Sequence, residues 1–292
     1  MSAEPAAVRW THVACALCGA DAPRERLVDR VRRGGQTYAF HVVACGRCGF
    51  VYVTPRATGA VFDNLAGGGA RIDAATANRP IYVRALARMR RAGLAHGARV
   101  LDLGCARGDF LVFAAEAGLD AVGVDLNPAL AEAARARGLT VHTGDVRELD
   151  LGPAFDAVTM WDVIEHVDDP VAVLAACRAV LRPGGLVLAH TGNARFQLPK
   201  ARVLAALRPE GSPFLVPYQH VSHFEPRSIR RAMRTAGLAP EDVFFAGTLD
   251  YPEPGKRRAM RLLNAVAELP SRVGGPLLTS AMAALGRRPL AG

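Results

Sequence analysis

The stretch Val100-Leu101-Asp102-Leu103-Gly104-Cys105-Ala106-Arg107-Gly108-Asp109-Phe110 decides the fold. An apolar run that carries one acid is typical of a buried parallel strand, and the glycines after it indicate a tight loop that opens a helix. Glycine lets the backbone approach a ligand that a Cβ would push away, and the helix presents free N–H groups at its start. The stretch therefore predicts a turn that binds a nucleotide-like ligand.

The glycine spacing differs from the dinucleotide-binding fingerprint. That pattern, G-x-G-x-x-G, requires glycine at positions 104, 106 and 109, but the chain has Ala106 and Asp109. The chain instead carries Asp-x-Gly-x-x-x-Gly. A second acid, Asp125, ends the next predicted strand, about where a ribose diol lies in such sheets. Gly144-Asp145-Val146 closes a third predicted strand.

Together these motifs resemble the S-adenosylmethionine (SAM) dependent methyltransferases of the Rossmann-like class, over residues 99–243. The resemblance implies that residues 104–108 wrap the methionine end of SAM, that Asp125 holds the ribose hydroxyls and that Asp145 with Val146 meets the adenine. Ala106 departs from the family, which more often has glycine there. The predicted cofactor-binding residues are Asp102, Gly104, Cys105, Ala106, Gly108, Asp125, Leu126, Asp145, Val146 and Trp161.

Strands and helices alternate regularly from residue 99. Strands are predicted at 99–103, 121–125, 140–143, 157–161, 186–190 and 243–246. Helices are predicted at 109–117, 128–137, 170–181 and 226–236, three of them with proline at a first position that tolerates it. This alternation predicts an α/β fold with a doubly wound, mostly parallel sheet and ligands at the carboxyl ends of its strands.

Four of the six cysteines form two similar turns, Cys15-Ala16-Leu17-Cys18-Gly19 and Cys45-Gly46-Arg47-Cys48-Gly49. Each Cys-x-x-Cys turn directs two thiolates at one cation, so the pair predicts a closed tetrahedral Zn²⁺ site. A closed site leaves no coordination position for chemistry, so this zinc is structural. Strands at 38–43 and 49–53, with a loop at 24–35, complete a predicted zinc ribbon. Reduced, metal-free cysteines are the alternative, and Cys105 and Cys177 are interpreted as packing residues.

His166 lies in a stretch, 161–170, that resembles the E-x-x-E-H-V-x-D-P segment of the ubiquinone-biosynthesis type O-methyltransferases, with Asp162 in place of the first Glu. Three interpretations stay open. His166 acts as a general base on a substrate hydroxyl, since its unperturbed pKa is near neutrality. Alternatively, Asp162, Glu165 and His166 hold a divalent cation, Mg²⁺, that binds substrate oxygens. In the third, Glu165 and His166 only brace the loop.

The stretch 195–221 is predicted to be an irregular insertion that forms the substrate pocket, because its four prolines argue against a further strand. It leads into Tyr218-Gln219-His220-Val221-Ser222-His223-Phe224, where polar and aromatic groups are dense. His220 and His223 are therefore further candidates for the catalytic base.

The regular pattern weakens on both sides of this region. Before residue 99 the chain has a Gly67-Gly68-Gly69 connector and a predicted covering helix at 79–93. After Thr248 it predicts no seventh strand, although methyltransferases of this class generally close with one. It predicts a basic amphipathic helix at 256–269, which Pro270 ends, and a second helix at 276–285. The apolar face of the first helix would pack in the core or at a dimer contact, or lie on a membrane surface.

Composition and charge limit the partners and the location that the sequence predicts. The chain has 292 residues, of which 50% are hydrophobic, and it carries 36 Lys and Arg against 27 Asp and Glu, a formal net charge of +9. The charge favours anionic partners without naming one. No apolar run is long enough to cross a bilayer, and residues 1–10 lack a signal pattern, so we expect a cytoplasmic protein without integral membrane association.

Four regions follow from these patterns. Residues 1–56 are a zinc-ribbon module, 57–98 a connector and covering helix, 99–250 the SAM-dependent methyltransferase domain with a substrate insertion near 195–225, and 251–292 a helical C-terminal extension.

The predicted function is O-methylation of a small molecule, a sugar, phosphorylated sugar or secondary metabolite, by a chain that forms a homodimer. A neutral hydroxyl is a poor nucleophile, so this chemistry needs a positioned base.

Three alternatives remain at the level of sequence. The zinc module also resembles that of the C-methyltransferases of nucleotide sugars. Zinc with basic charge is also compatible with an RNA methyltransferase whose ribbon grips phosphates. A non-catalytic SAM-binding scaffold would keep Asp125 and need neither His166 nor His223.

Overall fold

The computed structural model describes residues 8–33, 35–58, 74–207, 215–247 and 254–290. Its strands are β1 Arg9–Thr11, β2 Pro23–Arg33, β3 Gln36–Cys45, β4 Val51–Val53, β5 Arg56–Thr58, β6 Arg99–Leu103, β7 Asp120–Asp125, β8 Val141–Thr143, β9 Phe155–Trp161, β10 Leu181–Gly192, β11 Ser222–His223, β12 Ala239–Phe244 and β13 Ala281–Arg287. Its helices are α1 Ala74–Arg91, α2 Asp109–Glu116, α3 Pro128–Arg135, α4 Pro170–Val180, α5 Ala194–Leu207, α6 Pro226–Thr235 and α7 Pro254–Arg272.

The largest sheet has seven strands in the order β12-β13-β10-β9-β6-β7-β8. Strands β10, β9, β6, β7 and β8 are parallel to one another, and β13 runs antiparallel to both of its neighbours, β10 and β12. The side chains of β6 from Val100 to Leu103 are all buried, as expected for a strand with helices on both faces of its sheet. The predicted doubly wound, mostly parallel α/β sheet is confirmed.

Helices α2, α3, α4 and α6 begin at the residues that the sequence predicts. α3 and α4 each start with proline directly after a capping residue, Asn127 or Asp169, whose side chain accepts hydrogen bonds from two backbone N–H groups of the first turn. The covering helix is confirmed as α1, which starts a few residues earlier than predicted. The Gly67-Gly68-Gly69 connector lies outside the described residues.

A second sheet joins the N-terminal module to the rest of the chain. Its order is β11-β4-β3-β2, and β11 comes from the end of the predicted substrate insertion. Ser222 pairs with Tyr52, and Phe224 packs its ring 5.2 Å from that of Phe50. Residues of α5 share a buried cluster with Phe40 and Val42 of β3. The cysteine module and the insertion therefore share one core.

Three sequence expectations are wrong, one each about the N-terminal module, the insertion and the C-terminal region. The predicted loop at 24–35 is mostly strand β2, which pairs with β3 over its whole length. The stretch 195–221 is not irregular throughout, because α5 occupies its first half and contains Pro199. The second C-terminal helix, at 276–285, does not form, because residues 281–287 are strand β13 inside the main sheet.

The C-terminal strand was missed because its sequence, Ala-Met-Ala-Ala-Leu-Gly-Arg, is rich in alanine and favours helix locally. Insertion between β10 and β12 buries Met282 to Leu285 almost completely, and this burial outweighs the local preference. The first predicted C-terminal helix is confirmed as α7, although Pro270 lies inside its last turn. In the described part of the chain, no helix combines the length and apolar character that a membrane crossing requires.

Candidate active site and zinc site

The four predicted zinc ligands meet at the end of β3. Cys15 Sγ lies 3.5 Å from Cys48 Sγ, and Cys18 Sγ lies 3.5 Å from Cys45 Sγ. All four sulfur atoms lie within 4.8 Å of one another. A tetrahedral zinc centre with Zn–S bonds of about 2.3 Å has sulfur–sulfur distances of about 3.8 Å. The cluster therefore fits a zinc ribbon.

Backbone groups favour the thiolate of Cys45, whereas burial raises the pKa of Cys15 and of Cys48. Gly49 N donates to Cys45 O at 2.8 Å, which closes the second cysteine turn. Burial acts to raise the pKa of Cys45, but backbone N–H groups of Cys48 and Arg47 outweigh it and lower that pKa to about 7. The thiolate is the form that ligates a metal. The donor set is thus chemically suited to Zn²⁺.

A cavity of about 660 Å³ opens at the carboxyl edge of the parallel strands. Ligands of doubly wound sheets bind at this edge. The ends of β6 and β7 and the loops after β8 and β9 form most of its wall. Predicted site residues in that wall are Gly104, Asp125, Leu126, Asp145, Val146, Asp162 and His166.

The loop after β6 contains two glycines at positions where a side chain would not fit, and one of these, Gly104, lines the cavity. Gly104 has a φ of 71°, and a Cβ added there would lie 2.5 Å from Val163 Cγ2. Gly108 has a φ of 82°, and its added Cβ would collide with Leu139. A side chain at either position would strain the backbone and displace a neighbouring side chain, so both positions favour glycine.

Asp125 ties this loop to the next one. Its Oδ2 accepts a 2.8 Å hydrogen bond from Ala106 N, and its Oδ1 accepts one of 2.8 Å from Asn127 N. Each carboxylate oxygen can accept a further hydrogen bond, so Asp125 is fixed and keeps capacity for ligand hydroxyls. Ala106 adopts a left-handed φ of 48°. This conformation gives a physical reason for glycine at the same position in the resembling family.

The carboxylate of Asp145 is already hydrogen-bonded to a neighbouring residue, Arg147. It accepts from Arg147 N at 2.9 Å and from Arg147 Nε at 3.0 Å, and these interactions lower its pKa. The residue lines the cavity, as does Val146 after it. The predicted contact of this pair with adenine stays a prediction.

Five other predicted cofactor-binding residues are not among the described residues that form the cavity wall. Asp102 is 2% exposed and accepts a 2.7 Å hydrogen bond from Thr159 Oγ1. Burial raises the pKa of Asp102 to about 8, and the Asp125 carboxylate adds to this effect. Asp102 is thus a buried group of the sheet. The other four predicted cofactor-binding residues outside the cavity wall are Cys105, Ala106, Gly108 and Trp161.

His166 is the predicted base that lines the cavity. Its Nδ1 lies 3.1 Å from the carbonyl oxygen of Gln219. A carbonyl only accepts, so Nδ1 carries the proton and Nε2 of the neutral ring holds a free lone pair. Loss of hydration lowers the pKa of His166, against the opposing effects of the Gln219 carbonyl and the Asp162 carboxylate. The ring is therefore a neutral proton acceptor at pH 7.

The other two predicted bases lie in poorer surroundings for that role. The ring of His220 is 4.7 Å from that of His166, and burial together with His166 lowers its pKa to about 4. His223 is 4% exposed on β11, and burial lowers its pKa to about 3. A base is most effective when its pKa is near the working pH. His220 and His223 are accordingly weaker proton acceptors than His166.

The predicted magnesium trio is not assembled. Asp162 Oδ1 lies 2.9 Å from His190 Nδ1, at the end of β10. Among the described residues, the acid grouped with His166 and His220 is Glu165, with ligand atoms within 4.8 Å of one another. Burial raises the pKa of Glu165 to about 8, with a further contribution from Asp162. Two imidazoles and an acid that holds its proton do not suit Mg²⁺, which prefers charged oxygen ligands.

Comparison with known proteins agrees with this geometry. A family model described as a methyltransferase domain matches residues 74–243, which is more than half of the chain and includes every described residue of the cavity wall. The chain belongs to the methyltransferase-domain family. It is a SAM-dependent methyltransferase.

Two relatives of this methyltransferase are named ubiquinone biosynthesis O-methyltransferase. The protein from Xanthomonas axonopodis pv. citri (strain 306) is 34% identical over 174 residues, 56% of this chain and 70% of that protein. The protein from Xanthomonas campestris pv. campestris (strain B100) gives the same values. Among solved structures, a chain from a complex between the Haloferax volcanii Trm112 methyltransferase activator and a methyltransferase has a TM-score of 0.51. It is 18% identical, with 74% of this chain and 92% of that chain covered, so it shows a shared fold alone.

Sequence reasoning missed two residues of this methyltransferase's cavity region. Gln219 fixes the His166 tautomer through its backbone carbonyl, a role that no side-chain pattern reveals. His190 is 5% exposed and pairs with Asp162, which raises its pKa although burial opposes the rise. Its position at the carboxyl end of a predicted strand is the signal that would have identified it.

Proposed function

We propose that this methyltransferase transfers a methyl group to a hydroxyl oxygen of a small molecule, with His166 as the general base. The observation that carries the proposal is the His166 tautomer, since Nδ1 donates to Gln219 O and leaves Nε2 as an acceptor in the cavity wall. Relatives named as O-methyltransferases support oxygen as the acceptor atom. A sugar, phosphorylated sugar or secondary metabolite is the proposed acceptor class.

The residues of the cavity wall suit SAM as the donor. Asp125 would receive the ribose hydroxyls on its remaining lone pairs, and Leu126, Asp145 and Val146 would border the adenine. Gly104 offers backbone where a Cβ has no room. When bound, SAM supplies a methyl group on a positively charged sulfur, which makes that methyl electrophilic.

The chain's own contribution is orientation and proton removal. His166 Nε2 accepts the proton of the acceptor hydroxyl as that oxygen becomes nucleophilic, a contribution of about 10²–10⁴ in rate for such bases. The imidazolium that forms keeps its Nδ1 bond to Gln219 and is stabilised by the Asp162 carboxylate. The His190 partner holds that carboxylate in the cavity wall.

The cysteine cluster is proposed to hold one structural Zn²⁺. Four thiolates fill a tetrahedral zinc, so no position remains for substrate or water. Its task is then mechanical, because β4 of this module pairs with β11 of the insertion that carries Gln219 and His220. Zinc in this view supports the loop that fixes His166.

An acceptor screen with SAM labelled in its methyl group tests the proposal. Hydroxylated sugars, sugar phosphates and phenolic metabolites are offered to the full chain, and each labelled product is examined by NMR for the bonded atom. We expect a labelled methoxy carbon. Label bonded to carbon or nitrogen in the best product, or label only in RNA added to the same screen, would contradict the proposal.

A further inference from the structure

The C-terminal helix α7 exposes an apolar stripe. Its large aliphatic side chains have exposed fractions of 70% at Leu262, 58% at Leu263, 57% at Val266 and 53% at Leu269, and Val273 directly after the helix is 86% exposed. Positions 262, 266, 269 and 273 follow the spacing of one helical face. The core packing considered from the sequence is therefore wrong for these side chains. The helix also lies beyond residue 243, where the family match ends.

The opposite side of α7 is attached to the body of the protein. Glu268 is 8% exposed and forms an ion pair with Arg84 of α1, whose guanidinium lies over the ring of Phe245 at 5.5 Å. Position 268 is two residues from Val266, which places the two residues on nearly opposite faces of the helix. The anchoring contact thus leaves the aliphatic stripe directed away from the fold.

Charge indicates what covers this stripe. The sequence of α7 contains five basic residues and one acidic residue, Glu268, which is already paired with Arg84. Four of the basic residues fall within positions 256–261. A second copy of this chain carries the same basic segment and the same formal net charge of +9, so it offers no negative surface to this segment. An anionic lipid surface attracts a basic segment and accepts an apolar stripe at the same time.

We propose that α7 binds the surface of membranes that contain anionic phospholipids. The helix lies in the plane of the interface, with Leu262, Val266 and Leu269 in the boundary between headgroups and acyl chains. The positive charge of its N-terminal half, four basic residues within positions 256–261, attracts the anionic headgroups. Such binding is peripheral and reversible, because it rests on one apolar stripe and on charge attraction that salt screens.

Vesicle flotation with the full chain tests this surface. Vesicles of phosphatidylcholine alone are compared with vesicles that contain one third phosphatidylglycerol, at low and high salt. We expect flotation with the anionic vesicles and its loss at high salt. The double variant Leu262→Asp with Val266→Asp is expected to weaken binding at least tenfold, because it places charge in the stripe. Leu290→Asp is the matched control, since Leu290 is 75% exposed but lies after β13.

Circular dichroism and SAM binding establish that each variant is folded, and light scattering gives the mass of the wild-type chain. Three results would overturn the proposal. One is no flotation of the folded wild type with anionic vesicles, and another is equal flotation of the double variant. The third is a dimer without vesicle binding that the double variant converts to monomer, which would assign the stripe to a second copy of the chain.

Discussion

The cysteine module and the carboxyl edge of the main sheet build their functional groups in different ways. In the module, each pair of sulfurs is set by a turn of four or five residues, such as the one closed by Gly49 N and Cys45 O. At the sheet edge, His166 depends on Gln219, 53 residues away, and Asp162 depends on His190, 28 residues away. Local spacing specifies a metal site, whereas a base acquires its properties from tertiary contacts.

The two regions are nevertheless physically joined. Val53 N donates to Val221 O at 3.0 Å, between β4 and the segment that leads into β11. The same short segment of the insertion contains Gln219 and His220. Damage to the zinc site should therefore affect the acceptor side of the cavity more than the donor side, which β6, β7 and β8 form, although Cys15 and Cys45 share a buried cluster with Leu103 and Val124.

The largest expected effect comes from Cys45→Ser. Structural zinc contributes about 10 kcal/mol or more to small cysteine modules, so loss of a ligand should remove the metal and disorder the module. We expect zinc content to fall toward zero and methyl transfer to fall by at least about a hundredfold. The dissociation constant of SAM should change much less than turnover does, because no described residue of the module lines the cavity. Metal analysis, calorimetry and turnover measure the three quantities.

Arg47→Ser is the control for this experiment. Arg47 lies in the same cysteine turn, is exposed and offers no metal ligand, so zinc and turnover should stay at wild-type values. If Cys45→Ser loses zinc and keeps full turnover, the module does not support the insertion. If SAM binding is lost together with turnover, the two sides of the cavity are not separable as we describe them.

His166→Gln should lower kcat by about 10²–10⁴ while SAM binding stays unchanged. Because the pKa of His166 is lowered, its proton-accepting form persists below pH 6.5, and activity should fall only as the pH drops through that lowered value. The variant should lose this acid limb of the pH profile. His142→Gln, at an exposed position on β8, is the control that should keep both rate and profile. An acid limb that survives in His166→Gln would assign the titration to another group.

Asp125→Asn tests the donor side. The carboxylate holds Ala106 N and Asn127 N and is proposed to receive the ribose hydroxyls, and hydrogen bonds to a charged group contribute about 1.5–3 kcal/mol each. We expect SAM to bind about tenfold to a hundredfold more weakly, with unchanged zinc content. Asp120→Asn, at the exposed start of the same strand, should bind SAM normally. Equal binding by both variants would remove Asp125 from the site.

The sequence predicted the features that local residues determine and missed those that depend on tertiary contacts. The β6 strand was predicted with its correct ends, because a buried parallel strand is continuously apolar and its glycine loop has strict backbone requirements. The grouping of the four cysteines was also predicted, because each pair is set by a short turn. β13 was missed because alanine favours helix until neighbouring strands bury it. The choice among His166, His220 and His223 was open because pKa values depend on burial and neighbours, which spacing does not encode.

The smallest expected effect concerns Ala106, where the loop departs from the glycine of the resembling family. A φ of 48° costs an alanine about 1 kcal/mol, so Ala106→Gly relieves strain in the folded state. Glycine also gives the unfolded chain more freedom, which costs a similar amount. The free energy of unfolding should therefore change by no more than about 0.5 kcal/mol, whereas Ala133→Gly inside α3 should lower it by about 1 kcal/mol. Chemical denaturation measures both, and a loss of 1 kcal/mol or more in Ala106→Gly would show that the loop conformation differs from the one described.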